Sequence, residues 1–169
     1  MPDATGLELI AQGLREHDAD SVLDTVFFRD RAAVLVSPAS VPATLAHLRE
    51  KGYGFLASVH GVDYFPEEPR LGVHYELLDM SSVDRICVRT RVPIDAPNVP
   101  SVTPDWPTAD HQEREVYDMF GVIFEGHHDL RRILMPEDYE GHPQRRDFPM
   151  GGEPILFTHN ERDVPGWWE

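Results

Sequence analysis

A chain of 169 residues that is 41% hydrophobic and 27% charged has the size and composition of one core-bearing domain with extensions, and is too short for two comfortable ones. A formal net charge of −15 excludes nucleic acid or an anionic lipid surface as partner unless basic residues segregate into a patch. Cys87 is the only cysteine, which excludes a disulfide framework and any iron–sulfur cluster held by this chain alone, since such a cluster takes about four thiolates.

The opening MPDATGLELIAQG has no basic region and begins with acids, so neither a secretory signal nor a mitochondrial presequence is expected. Thr5 and Glu8 form a capping box, and Leu7, Ile10, Ala11 and Leu14 then fall on one face of a helix. SVLDTVFF and AAVLV read as two strands joined through Arg29–Arg31 as a hairpin. Ser40 caps a second helix with Val41, Leu45 and Leu48 as its buried stripe, ending at Lys51–Gly52. YGFLASVHGVDY reads as a strand buried on both faces. LGVHYELL alternates, with Leu71, Val73, Tyr75 and Leu77 on one side. RICVRTRV alternates most clearly, with Ile86, Val88 and Val92 inward and Arg85, Arg89 and Arg91 outward.

The expected fold class is therefore α+β in two layers, with helices packed on a mixed, partly antiparallel five-stranded sheet in the order α-β-β-α-β-β-β. Residues 1–92 form this core. A proline-rich connector, 93–107, follows, in which neither helix nor central strand is expected and Trp106 is the anchor. Residues 108–151 hold a short helix, opened by an Asp110–Glu113 capping box and ended by Gly121, and then an irregular loop. Residues 152–169 read as an extended tail carrying Trp167 and Trp168. No apolar run approaches the roughly 20 residues of a spanning helix.

Candidate chemistry concentrates between Glu113 and Gly151. His127, His128, Asp129 and His142 are all metal-ligand types, and His127, His128 and His142 would serve a stand-alone metal-dependent hydrolase. Adjacent histidines usually diverge, however, and helical ligand pairs are absent. Glu115 and Asp118 share a helical face as a paired-carboxylate candidate, yet acids early in a helix are favoured by its dipole anyway. No nucleophile elbow and no phosphate-cradling glycine loop occurs. Arg131, Arg132, Arg145 and Arg146 form two pairs in loop-rich sequence, suited to bidentate contacts with a partner and also to internal bridges with Asp118, Glu137, Asp138 and Asp147. A scaffold for an unrelated partner is a further reading.

Residues 113–149 carry an ordered set of anchors: Glu113, Arg114, Glu115, Asp118, Met119–Phe120, His127, Arg131, Ile133 and Asp138, followed by EGHPQRRDFP. This pattern resembles the signature region of the C subunit, the 30 kDa-type subunit, of proton-pumping NADH:quinone oxidoreductase, respiratory complex I. VPSVTPDWPTA and FLASVHGVDY extend the likeness upstream. His111 and His128 depart from it, without touching the anchors. The resemblance implies a non-catalytic peripheral-arm subunit on the cytoplasmic side of the bacterial membrane. It implies docking onto the quinone-site subunit and the terminal iron–sulfur-cluster subunit. FMN, iron–sulfur clusters and quinone are then expected in partner subunits, and no cofactor, metal or catalytic residue here. Glu113, Arg114, Glu115, Asp118, Phe120, His127, Arg131, Arg132, Asp138, His142, Arg145, Arg146 and Asp147 are the implied docking residues. A homologous subunit of a membrane-bound hydrogenase or another reduced-cofactor dehydrogenase is the neighbouring alternative.

Overall fold

The computed structural model describes residues 3–149; the Trp167–Trp168 tail lies outside them. Helix α1 (Ala4–His17) buries Leu7, Ala11 and Leu14 at helical spacing. Its cap is Asp3, whose Oδ1 accepts the Gly6 N–H at 2.7 Å, and not the expected Thr5. An equally good capping side chain two residues upstream took the role, and Glu8 instead accepts the Thr25 hydroxyl at 2.6 Å. Strands β1 (Val22–Phe28) and β2 (Arg31–Val36) form the expected hairpin. Both turn residues, Arg29 and Asp30, have positive φ, 51° and 59°, the backbone a two-residue turn needs to match strand twist. Helix α2 (Val41–Glu50) buries Val41, Leu45 and Leu48 completely. Ser40 precedes it without capping it, because its hydroxyl bonds Asp18 at 3.0 Å.

Strands β3 (Phe55–Asp63), β4 (Leu71–Asp79) and β5 (Asp84–Val92) complete a five-stranded sheet in the order β1-β2-β5-β4-β3, with only β2 and β5 parallel. The order follows from the connections. Helix α2 carries the chain across the sheet to its far edge, and two antiparallel returns then bring β5 back beside β2. Leu71, Val73, Tyr75 and Leu77 of β4 and Ile86, Val88 and Val92 of β5 all face the helices, in one core with Leu7, Leu45, Val116 and Met119. The strand expected to be buried on both faces, β3, is instead an edge strand with Phe55 and His60 exposed. Burial on both faces falls to β4, where Leu71 to Tyr75 are all buried. Tyr64 accounts for part of this: its ring lies where a Cβ on Gly72 would be, and its hydroxyl meets His74 Nε2 at 2.9 Å.

The proline-rich connector holds no central strand, as expected, but contributes a short edge strand, β6 (Asn98–Pro100), which pairs in parallel with β7 (Ile123–Glu125). Proline is barred from central strands, and a two-stranded ribbon has only edges. Trp106 is buried, with the Arg49 guanidinium 5.2 Å from its ring centroid. Helix α3 (Asp110–Phe120) follows and packs against β3. Among the described residues, no helix is long and apolar enough to cross a membrane.

The contact of α3 with β3 depends on Gly61, because a Cβ there would overlap the Phe120 ring. Overfilling such a contact costs about 1–3 kcal/mol. Gly61→Ala should therefore lower the melting temperature of the purified chain by about 5 °C, read by circular dichroism; an unchanged value would show that Phe120 moves aside freely.

Candidate functional site

The two fully buried acids of α3 are Glu113 and Asp118, five positions apart, so they leave the helix in different directions. Glu113 faces back towards the connector. Its Oε1 accepts the Val102 N–H at 2.8 Å and its Oε2 the Ser101 hydroxyl at 2.7 Å. The expected capping box is not formed: no side chain caps α3, because the connector holds the glutamate that would have closed it. Burial pushes the Glu113 carboxyl up to about 7, with the charge of Asp110 adding to the effect and the two hydrogen bonds opposing it.

Asp118 faces forward into the loop. Its Oδ2 accepts three successive N–H groups, those of Ile133, Leu134 and Met135, at 3.0, 2.8 and 2.9 Å. Its Oδ1 accepts Arg132 Nη1 at 2.6 Å. Burial alone would raise this carboxyl, but the Met135 N–H, the Arg132 guanidinium and the Leu134 and Ile133 N–H groups together hold it below its ordinary value. One carboxylate thus sets the path of four consecutive loop residues.

The rest of the loop satisfies the end of the helix. The last four carbonyls of an α-helix have no partner within it, and here each one finds a donor. Gly121, at φ 79°, donates its N–H to Tyr117 O at 2.8 Å. Asp118 O receives His142 Nδ1 at 3.0 Å and Arg132 Nη1 at 3.3 Å. Met119 O receives the Gln144 N–H at 3.2 Å, and Phe120 O receives Arg145 Nε at 2.7 Å. Two guanidiniums at a helix C-terminus also oppose the negative end of its dipole. Burial, with Arg145 and Arg132 nearby, lowers the His142 pKa, so at neutral pH the ring is neutral and serves as a donor to Asp118 O.

Arg114 clasps the loop from the other side, donating to the carbonyls of Arg131 and Arg132, each at 3.2 Å. Arg146 donates to Phe65 O at 2.8 Å. Asp147 does not meet the loop arginines as expected but Arg70, a buried side chain that also forks onto Asp63 at 2.8 and 2.9 Å. Arg70 is not among the expected site residues; its one signal in the sequence is a basic residue opening an apolar strand. Of the remaining candidates, Phe120 is buried against Gly61, while Glu115 and Asp138 are exposed. Arg131 is exposed and, among the described residues, pairs only with Asp129, at 3.0 Å. Beside it the loop tip presents Ile133 and Leu134, 38% and 59% exposed.

The metal reading fares poorly on geometry. His127 and His128 stack, with centroids 5.0 Å apart, instead of diverging, and Asp110 joins them in a cluster of ligand types that does not include His142. However, the Asp129 N–H donates to His127 Nδ1 at 3.0 Å. A neutral imidazole has one free lone pair, so this bond occupies it and puts the proton on Nε2. That proton faces the Asp110 main-chain oxygen at 3.3 Å, with a carboxylate oxygen of Asp110 at 3.1 Å. A buried His127 so engaged is a tie between β7 and the start of α3, with no electron pair to offer an ion.

Fold and site together define a two-layer α+β domain whose C-terminal part is a helix capped by an arginine-bearing loop centred on a buried aspartate. The chain belongs to the family described as respiratory-chain NADH dehydrogenase, 30 Kd subunit, whose profile matches residues 34–154. It is 43% identical to the C subunit of NADH-quinone oxidoreductase from Roseiflexus sp. (strain RS-1) over 95% of this chain and 92% of that protein. It is 45% identical to NADH-quinone oxidoreductase subunit 5 of Thermus thermophilus over 72% of this chain and 63% of the relative. Among solved structures, a trypsin-resistant fragment of Nqo5 superposes with a TM-score of 0.62 at 34% identity, covering 73% of this chain and 98% of the fragment. A chain of the membrane-bound sulfane sulfur reductase, an archaeal respiratory membrane complex, gives 0.70 at 28% identity over 85% of both.

Removing the Asp118 carboxylate would strand three backbone donors and a guanidinium. Asp118→Ala should cost about 3–5 kcal/mol and lower the melting temperature by about 10 °C; a loss of a degree or two would mean that water replaces the carboxylate. Glu113 gives a pH signature of opposite sign. Its folded pKa lies above the ordinary 4.5, so its proton favours the folded state below pH about 4.5, and that contribution is lost as pH rises through about 7. The shift corresponds to about 3 kcal/mol. Glu113→Gln, able to keep both hydrogen bonds, should be more stable than the parent by up to that amount at pH 8 and show no difference near pH 4.5. Parallel stability–pH curves for the two proteins would refute the assignment.

Proposed function

We propose that the chain is an assembly subunit of the peripheral arm of an NADH:quinone oxidoreductase, docking onto the quinone-site and terminal-cluster subunits through its loop tip. In this reading the chain itself does no redox chemistry. FMN, iron–sulfur clusters and quinone belong to its partners, and it lies on the cytoplasmic side of the membrane, attached through the complex. The names of its relatives, 40–53% identical, support the complex. The observation that carries the docking role is the tip itself. Ile133 and Leu134 are exposed apolar side chains on a backbone held by the buried Asp118 carboxylate. An apolar anchor already fixed in one conformation loses little entropy on binding, and such anchors dominate interface energies. Arg131, Glu137 and Asp138, all exposed, supply a polar rim.

The capping arginines act one step back. Arg132 and Arg145 hold the loop on the helix and so position the tip. The experiment replaces Leu134 with glutamate in the complete complex. Burying that charge against an apolar partner should reduce the NADH-dehydrogenase-active band on native gels of solubilised membranes by roughly tenfold or more. Turnover per assembled complex should stay unchanged, and the isolated chain should melt as before. Normal assembly with lost turnover would overturn the docking account.

A further inference from the structure

Among the described residues, α1, α2 and α3 all pack on one face of the sheet. The opposite face carries a cleft of about 60 Å³ lined by Arg31, Arg85, Arg89, Glu76 and Cys87. Strand register builds it. Ala33 pairs with Cys87 across the parallel β2–β5 contact, and Glu76 pairs with Cys87 from β4. Buried Cys87 and Ala32 lie in the lining beneath the charged side chains, and the parallel register continued by two residues sets Arg31 beside Arg85, with Arg89 two places beyond Cys87 on the same face. The thiol below is inert: burial, with Glu76 adding, pushes it up to about 12, so the cleft is no nucleophilic site.

The charge in this cleft is out of keeping with the chain. Acids outnumber lysine and arginine 30 to 15, and Arg70, Arg132, Arg145 and Arg146 each bond within the chain. Here three guanidiniums face one carboxylate. Among the described residues Arg31 and Arg85 are exposed and make no ion pair, and Arg89 Nε is buried with no hydrogen-bond partner. A buried donor left unbonded is costly, and a guanidinium fork is best satisfied by a carboxylate. Phe28, paired with Arg31 across the hairpin and 62% exposed, adds an apolar rim.

We propose that this sheet face is a second docking surface, on which an acidic segment of another subunit of the same complex places a carboxylate among Arg31, Arg85 and Arg89, with Phe28 against its backbone. The inference rests on the assembly reading above but uses none of the loop-tip residues. Charge complementarity selects the occupant's chemistry: three guanidiniums about one carboxylate leave a net positive cleft that attracts an acidic segment.

The test works in the complete complex. A benzophenone amino acid at position 85 should cross-link, on illumination, to an Asp- or Glu-containing peptide of another subunit. Arg31→Glu with Arg85→Glu should lower the amount of assembled complex roughly tenfold, and an acid-to-arginine change in the cross-linked peptide should restore it. The neutral pair Arg31→Gln with Arg85→Gln should weaken assembly less and make it insensitive to salt. A cross-link only to the chain's own residues 150–169 would overturn the inference. So would normal assembly of the charge-reversed variant, or tight binding of inorganic phosphate with no cross-link to a neighbouring chain. If these arms fail while Leu134→Glu still blocks assembly, only the second surface falls; if the parent chain joins no complex, the assembly reading falls instead.

Discussion

The carboxylate of Asp118 is the point on which the C-terminal part of the molecule depends. It is wholly buried yet charged, which is tolerable only because three backbone N–H groups and a guanidinium converge on it. Residues 132–135 therefore have a fixed path without belonging to any regular element. With that path set, Arg132, His142, Gln144 and Arg145 fall where the unpaired carbonyls of α3 need donors. The loop orders the helix end, and the helix end orders the loop.

The contrast with Glu113, on the same helix and equally buried, shows how the number of donors decides the state of an acid. Glu113 receives one N–H and one hydroxyl, and burial prevails, leaving its carboxyl near neutrality. Asp118 receives three N–H groups and a cation, and its carboxyl stays low. The first ties the connector to α3 and the second ties the loop to it, so one short helix gathers segments before and after it onto the sheet. Gly61 and Arg70 complete the attachment, the glycine by making room for Phe120 and the arginine by bridging Asp63 of β3 to Asp147.

The arginines of the chain then sort by what they meet. Those of the loop bond within the chain, and the loop's exposed side chains include the apolar tip, Ile133 and Leu134, with Arg131, Glu137 and Asp138 around it. On the open sheet face Arg91 is held by Pro69, Glu67 and the Tyr64 ring, while Arg31 and Arg85 make no ion pair among the described residues. Density of charge in the sequence therefore located the right segment, while the side chains available to a partner are largely the less conspicuous ones, Ile133 and Leu134 among them. Internal bridges to Asp118 were foreseeable from residue types; the Arg70–Asp147 pair, spanning 77 positions, was not.

Periodicity determined α1, α2 and the inward faces of β4 and β5, because each is a local repeat of apolar side chains at 3.6 or 2 residues. Gly121 as the end of α3 and Trp106 as an anchor were equally local matters. Caps proved less legible: Thr5, Ser40 and the Asp110–Glu113 pair all have capping chemistry, and Asp3, Asp18 and the connector competed successfully for those contacts. Which strand would be buried on both faces depended on strand order, which no window of sequence contains. So did the meeting of Asp118 with residues 132–135, of Arg70 with Asp147, and of Arg31 with Arg85. Hydrogen-bond partners distant in sequence are chosen by the packing of the whole chain, and only the folded structure supplies that choice.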